Sequence, residues 1–401
     1  MRILYLTHRL PYTANRGDRI RAYRVLEYLA GRAIVDLVSL VHSDEEEGHA
    51  DDLRGLVNSV TTARARGKLA AYSRAAATAL SGGPLTHALL DSATVMAACR
   101  ARVSAHRPDV VLALCSSMAR FALEPPLRDL PLVLDMIDVD SEKWRNLSQS
   151  AAAPRRWIYA MEAQRLAVFE ARASTAAQSV LVVNERERSV LKQIAPVAVV
   201  HALPNGVNCE ELRPPDPPTA EPTVVFCGVM NYEPNEQGVL WFVREVWPAI
   251  TAQHPSARFC VVGSEPTAAI RRLAEDDQRI TVTGAVSDVR PYLWQSAVSV
   301  APLLIARGIQ NKVLEAVAAG LPCVVTPAVS GGLPGQVRSA CIDAADARAF
   351  STAVVGLLNR SPAERRAMAA SADLGALNWD LRLSPLVAIL DAAARRERIT
   401  P

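Results

Sequence analysis

The chain has 401 residues, 50% of them hydrophobic and 21% charged, with 44 Lys and Arg against 41 Asp and Glu for a formal net charge of +3. That length exceeds one ordinary core and points to two domains. The charge is too mild for a nucleic-acid binder, and no apolar run reaches the ~18 residues of a membrane span.

The opening Met1–Thr7 turns polar too soon for a signal peptide and reads as a first strand, so a cytoplasmic protein is expected. Short β-branched runs follow at Ile3–Thr7, Ile34–Leu40, Val110–Leu114, Leu132–Met136 and Val180–Val183. The pattern restarts after residue 205 with Val224–Cys227, Phe259–Val262, Ile280–Thr283, Val298–Ala301 and Cys323–Thr326. Helical periodicity lies between them, at Arg19–Ala30, Arg155–Ala173, Gly238–His254 and Asn311–Ala319. Apolar strands without polar alternation, separated by helices, predict parallel sheets covered on both faces. The proline-dense Arg213–Pro222 reads as a stiff connector. The expected fold is α/β, with two Rossmann-like domains whose strands point their carboxyl ends at a central cleft. The domains run 1–205 and 206–375, and a terminal helix, 376–401, packs back on the first. Seven cysteines, at 99, 115, 209, 227, 260, 323 and 341, show no C-x-x-C spacing and read as buried free thiols.

The segment Ala301–Thr326 carries the most chemistry. A strand ends near Ala301, a loop holds Gly308, and a helix runs from about Gln310 to Ala319 before Gly320 and Pro322 stop it. Its N-terminus, at Gln310 and Asn311, offers free N–H groups to a diphosphate, and Gly308 lets the backbone approach closely. Lys312 supplies a cation for the leaving phosphate. Glu315 falls on the same helical face and suits a ribose diol, although the spacing fits a surface Lys312–Glu315 ion pair equally well. Gly17 and Gly228 sit in the first strand-to-helix turn of each half, where close backbone approach serves a ligand or merely a turn. Arg16, Arg19 and Arg21 follow the first strand and read as phosphate contacts or a solvated face. Asp138 and Asp140 follow another strand of the first half.

The string Gly308–Lys312, with Glu315, Gly320 and Pro322, resembles the C-terminal signature of retaining glycosyltransferases of family 4, which have the GT-B fold. The family pattern places a first Glu eight positions before the second, and here that position is Arg307. Further stretches resemble the sugar transferases associated with exosortase (PEP-CTERM) and exopolysaccharide gene clusters. They are Pro11–Arg21, Asp138–Trp144, Pro204–Asn208, Gly228–Asn235, Thr283–Tyr292 and Trp379–Asp380.

The resemblance implies retaining transfer of a hexose-type sugar from a nucleoside diphosphate sugar to a glycan or lipid-linked glycan, without a metal or other cofactor. Gly17, Gly228, Val286, Gly308, Gln310, Asn311, Lys312 and Glu315 then bind the donor, with Val286 near the nucleobase. Arg16, Arg21 and Asp140 lie on the acceptor side, Lys312, Glu315 and Asp138 carry the catalysis, and Pro204–Val207 is the interdomain hinge. Relatives carry an Arg and a Lys in the turn after Gly228; this chain has neither before Arg244, which passes that duty to Lys312. The basic Ala63–Arg74 reads as a solvated helix or as a peripheral contact with the inner membrane face. The alternatives to a transferase are a non-catalytic sugar-nucleotide binding partner and a GT-B epimerase.

Overall fold

Val, Ile and Leu in short unbroken runs favour strands buried on both faces, and each of the ten runs above has a counterpart strand in the computed structural model. The structure describes residues 1–12, 17–65, 78, 82–214, 221–306 and 309–397. They divide into two units, Met1–Pro204 with Leu383–Pro401, and Asn205–Arg382. The division falls ahead of the proline-rich stretch, so Arg213 and Pro214 belong to the second unit.

The first unit is built on β1 (Arg2–Thr7), β2 (Ile34–Val41), β3 (Ser59–Arg64), β4 (Val110–Leu114), β5 (Leu132–Ile137), β6 (Ser179–Val182) and β7 (Val200–Ala202). They form a seven-stranded sheet in the order β3-β2-β1-β4-β5-β6-β7, with every pair parallel. Its helices include α1 (Gly17–Ala30), α2 (Asp140–Ser150), α3 (Arg155–Ala176) and α4 (Glu185–Ile194). The strand order reverses between β1 and β4, the switch point at which open α/β sheets hold ligands. Leu4, Leu6, Val111, Leu134 and Val180 fill the core at 1% exposure or less, each worth about 2 kcal/mol of apolar burial.

The second unit repeats the plan with β8 (Thr223–Cys227), β9 (Arg258–Val262), β10 (Ile280–Val282), β11 (Val298–Ala301), β12 (Cys323–Val325) and β13 (Cys341–Asp343). The order is β10-β9-β8-β11-β12-β13, again all parallel, with its switch point between β8 and β11. Helix α5 (Glu233–Trp241) follows β8, and α6 (Asn311–Ala318) follows β11. The π-helical turn Phe242–Val246 joins α5 to Trp247–Gln253, so the predicted Gly238–His254 helix is the rear of a longer one. Gly238 seats α5 on the chain beyond β11: a Cβ there would stand 2.8 Å from the Pro302 carbonyl oxygen. The last helix, α7 (Trp379–Ala394), starts at Trp379 and carries Pro385 within it.

Three strands escaped the sequence reading: β3, β7 and β13. All are sheet edges, β7 and β13 are three residues long, and β3 reads Ser-Val-Thr-Thr-Ala-Arg, without the apolar run that marks an inner strand. The basic segment expected as a helix from Ala63 begins instead as the end of β3. There Arg64 is ion-paired with Asp44 and Glu47; residues 66–74 lie outside the described residues. All seven cysteines are free thiols. Among the described residues no helix is long and apolar enough to cross a membrane.

Candidate functional site

In the second unit, the turns after β8 and β11 flank the switch point, and their residues meet. Gly228 directly follows β8. A Cβ on it would fall 2.7 Å from Asn235 Nδ2 and 3.1 Å from Lys312 Nζ, so only glycine lets both side chains close on this backbone. Asn235, in the first turn of α5, is 5% exposed. Its Nδ2 donates to the Val229 carbonyl at 2.9 Å, and its Oδ1 accepts from Lys312 Nζ at 2.6 Å. The ammonium also lies 4.3 Å from the centroid of the buried Phe226 ring, an attractive cation–π placement. Lys312 therefore reaches from α6 to the turn where the resemblance expects other cations.

The alternative reading of Lys312 and Glu315 as a surface ion pair fails, because Lys312 bonds Asn235 and, among the described residues, no ion pair joins it to Glu315. Among the described residues no side chain bonds the Glu315 carboxylate. Both are half-buried. Desolvation pushes the Lys312 pKa down to about 7, against the pull of Cys227 and Glu315. Desolvation likewise raises the pKa of Glu315, against the pull of Lys312. Burial pushes the Cys227 thiol up to about 12, which keeps it protonated and unreactive.

Helix α6 opens at Gln310, whose side chain forms no capping bond; the start of a helix carries N–H groups and partial positive charge of the kind that hold an anion. Asn311 Oδ1 accepts from Asn205 Nδ2 at 3.1 Å, which ties the Pro204–Val207 motif to the start of α6. The helix ends with Leu321 N–H bonded to the Ala316 carbonyl, Gly320 N–H to that of Val317, and Gly320 at φ +82°, a Schellman close. Val286 lies beyond β10, two strands removed from β8, and packs partly on the unit's core. Gly308 and Arg307 lie outside the described residues, as does Arg16. Gly17 is the first residue of α1.

The first unit gathers acids at the end of β5. Ile137 is held at φ +63°, a left-handed conformation that strains a β-branched residue, and Asp138 N–H bonds back to the Met136 carbonyl at 2.8 Å. Asp138, next in sequence, has Oδ1 buried and without a hydrogen-bond partner among the described residues. Burial first, then Glu187 and Asp140, push its pKa up to about 7, against Lys143 and Arg21. The start of α2 is satisfied by carboxylates: Val139 N–H donates to Glu187 Oε2 at 2.8 Å and Ser141 N–H to Glu170 Oε1 at 3.1 Å. Burial, with Asp140, pushes Glu170 up to about 8. Asp140 accepts from Ser116 Oγ at 3.2 Å, and His87 Nε2 lies 3.2 Å from the same hydroxyl. Burial and the nearby Arg120 and Arg172 push His87 down to about 3, which leaves the ring neutral.

Arg21 is not on an acceptor surface as expected. It is fully buried, with Nε 2.8 Å from Asp135 Oδ2 and Nη1 donating to the Leu203 carbonyl at 2.9 Å. Arg19 is likewise paired, with Glu46 at 2.8 Å. An isolated arginine motif does not reveal such pairs, because Asp135 is 114 residues away in the middle of a strand. The buried acids had a legible signal: Glu162 and Glu170 share a helical face with Leu166 and Ala173, where carboxylates need partners. In the sequence Asn235 is only the last residue of the Gly228–Asn235 stretch, and nothing in one sequence shows that it meets Lys312.

Two parallel-sheet Rossmann-like units of seven and six strands, each with polar groups gathered at a strand-end turn, define the GT-B fold. Residues 221–360 match the family described as Glycosyl transferases group 1. No curated protein matches the chain. Among solved structures, the sucrose-phosphate synthase of Thermosynechococcus elongatus has a TM-score of 0.71 at 18% identity, over 98% of this chain and 100% of that one. Anabaena HepE, in complex with UDP and glucose, has a TM-score of 0.66 at 12% identity, over 98% and 100%. S. aureus TarM, in complex with Fondaparinux, alpha-GlcNAc-glycerol and UDP, has a TM-score of 0.68 at 10% identity, over 97% and 99%.

Proposed function

We propose that this protein is a retaining glycosyltransferase of family 4 that moves a hexose-type sugar from a nucleoside diphosphate sugar to a glycan or lipid-linked glycan. The second unit holds the donor. The observation that carries this reading is Lys312, fixed by Asn235 against the Gly228 turn, one turn ahead of an open Glu315 carboxylate. The α6 N-terminus and Lys312 take the diphosphate, Gln310, Asn311 and Gly308 line its approach, and Glu315 accepts hydrogen bonds from the ribose. Val286 lies toward the nucleobase. As the bond to the sugar breaks, charge grows on the leaving phosphate, where Lys312 and the helix dipole stabilise it most.

The first unit takes the acceptor. Asp138, poised near neutrality, orients its hydroxyl, and the departing phosphate receives the proton, so the chemistry requires neither metal nor cofactor. UDP-bound relatives of this fold make UDP-sugars the first donors to try. The reading extends to a cytoplasmic role in exopolysaccharide or cell-surface glycan synthesis, in the exosortase-associated subgroup.

The experiment incubates the enzyme with UDP-hexoses and follows slow donor hydrolysis by NMR, which also reports anomeric configuration. Release of the sugar with its configuration retained, abolished by Glu315→Ala in a folded protein, supports the reading. Unchanged turnover in that variant removes Glu315 from the site, and an inverted product removes retention.

A further inference from the structure

The sheet of the second unit carries one in-register row of small side chains across five strands. Cys260 on β9 pairs with Val225 on β8, Val225 with Ser299 on β11, Ser299 with Cys323 on β12, and Cys323 with Cys341 on β13. In-register partners on parallel strands point to the same face of the sheet. That face is the one α6 covers: Cys323 Sγ is 4.0 Å from the Val313 carbonyl oxygen within the helix and 3.8 Å from that of Leu321 just beyond it. Val225 and Ser299 separate Cys260 from the other two thiols, whereas Cys323 and Cys341 are direct neighbours. The Cys341 thiol, hydrogen-bonded to Cys323, and then burial push the Cys323 pKa well above its ordinary value.

A single buried cysteine behaves as a small apolar side chain; two facing thiols have a further option. Neighbouring strands lie about 4.8 Å apart, inside the range of roughly 4.4–6.8 Å between Cα atoms that a disulfide spans. Strand β13 is the edge of the sheet, and Cys341 on it is half-buried, so solvent reaches this residue while Cys323 is only 1% exposed. We propose that Cys323 and Cys341 are a reversible disulfide site, closed by a low-molecular-weight disulfide such as oxidised glutathione. Cys341 loses its proton to solvent, and its sulfur attacks one sulfur of the small disulfide, releasing the first thiolate and leaving a mixed disulfide on Cys341. The Cys323 sulfur then attacks Cys341 Sγ and expels the second thiolate, which takes the Cys323 proton. Two protein thiols are oxidised to one disulfide, and the small disulfide is reduced to two thiols. The new bond closes the segment 324–340 into a covalent loop and fastens the three-residue edge strand to its neighbour. In a reducing compartment such a bond forms transiently and is undone by excess thiol. It forms whatever sugar the chain transfers.

The test incubates the reduced, folded, full-length protein with oxidised glutathione, caps the remaining thiols with iodoacetamide and digests with trypsin. Arg338 lies between the two cysteines, so trypsin leaves Cys323 in peptide 313–338 and Cys341 in peptide 339–348. Mass spectrometry is expected to recover the two as one linked species, lighter by two hydrogens than their sum, and dithiothreitol before capping abolishes it. In Cys323→Ser the reaction is expected to halt at a glutathione adduct on Cys341. In Cys341→Ser, Cys323 is expected to stay unmodified. A wild type that yields no linked species, or yields it only after unfolding in urea, overturns the proposal. So does a Cys323→Ser protein without the adduct on Cys341, or a Cys341→Ser protein that still takes glutathione at Cys323. A link between the Cys341 residues of two chains, seen as a nonreducing dimer that Cys341→Ser removes, overturns it as well.

Discussion

Lys312 Nζ and Asn235 Oδ1 stand 2.6 Å apart across 77 residues of chain, and this bond joins the two turns at the switch point of the second unit. The bond fixes where the cation sits. Without it the lysine stem regains its rotamers, and a charged donor loses an acceptor worth about 1.5–3 kcal/mol. Asn235→Ala is expected to weaken UDP binding by roughly one to two orders of magnitude, measured by isothermal titration calorimetry, with the melting temperature only modestly lower.

Burial holds the Lys312 pKa at about 7, well below its ordinary value of 10.5. The groups that face it are Glu315 on its own helix, Cys227 at the end of β8 and Asn235 in the first turn of α5. Below about pH 7 the free protein presents a cation; above it, a diphosphate must first recruit a proton, and affinity falls by up to about tenfold per pH unit. Calorimetry in buffers of different ionisation enthalpy then reports proton uptake on binding near pH 8. Between pH 7 and 10.5 the unfolded chain binds more protons than the folded one, so this group's contribution to stability rises with pH. Lys312→Met, which removes a buried charge, is expected to raise the melting temperature at neutral pH while abolishing UDP binding.

Gly228→Ala tests the close approach directly. Its methyl group meets Asn235 Nδ2 at 2.7 Å and Lys312 Nζ at 3.1 Å, so both side chains are displaced. Their ends are flexible enough to spare the fold. The expected result is loss of UDP binding with a circular dichroism spectrum like that of the wild type.

The Arg21–Asp135 pair makes a contrasting prediction. Both partners are at most 1% exposed, and removing one leaves a buried uncompensated charge at a cost of about 3–5 kcal/mol. Chemical denaturation of Arg21→Ala is expected to show that loss. The double variant Arg21→Met with Asp135→Leu recovers much of it, since apolar residues of similar size often replace a buried pair at little cost.

The inner strands and the long helices were legible because apolar runs and helical periodicity are local signals. The edge strands β3, β7 and β13 were not, since they are short or polar and owe their conformation to a neighbour. The same division holds at the site. Lys312, Glu315 and Gly228 stand out through residue type and place in a strand–turn–helix pattern. The Asn235 bond to Lys312, the Asn205 bond to Asn311 and the capture of Arg21 by Asp135 join residues far apart in sequence, and only folding brings them together. Arg21 shows the converse hazard: a basic residue beside a glycine turn has the composition of a phosphate site, yet packing turned it into the core.

The central claim is that the Gly228–Asn235–Lys312–Glu315 constellation binds a nucleoside diphosphate. The most direct measurement is the thermal shift of the wild type and of Glu315→Ala across UDP, GDP, ADP and dTDP. A ligand at about one hundred times its dissociation constant stabilises the folded state by about 2.7 kcal/mol. The account predicts a clear rise in melting temperature for the wild type with one nucleotide and loss of that rise in the variant. A wild type that responds to none of the four, or a variant that responds as the wild type does, would contradict it.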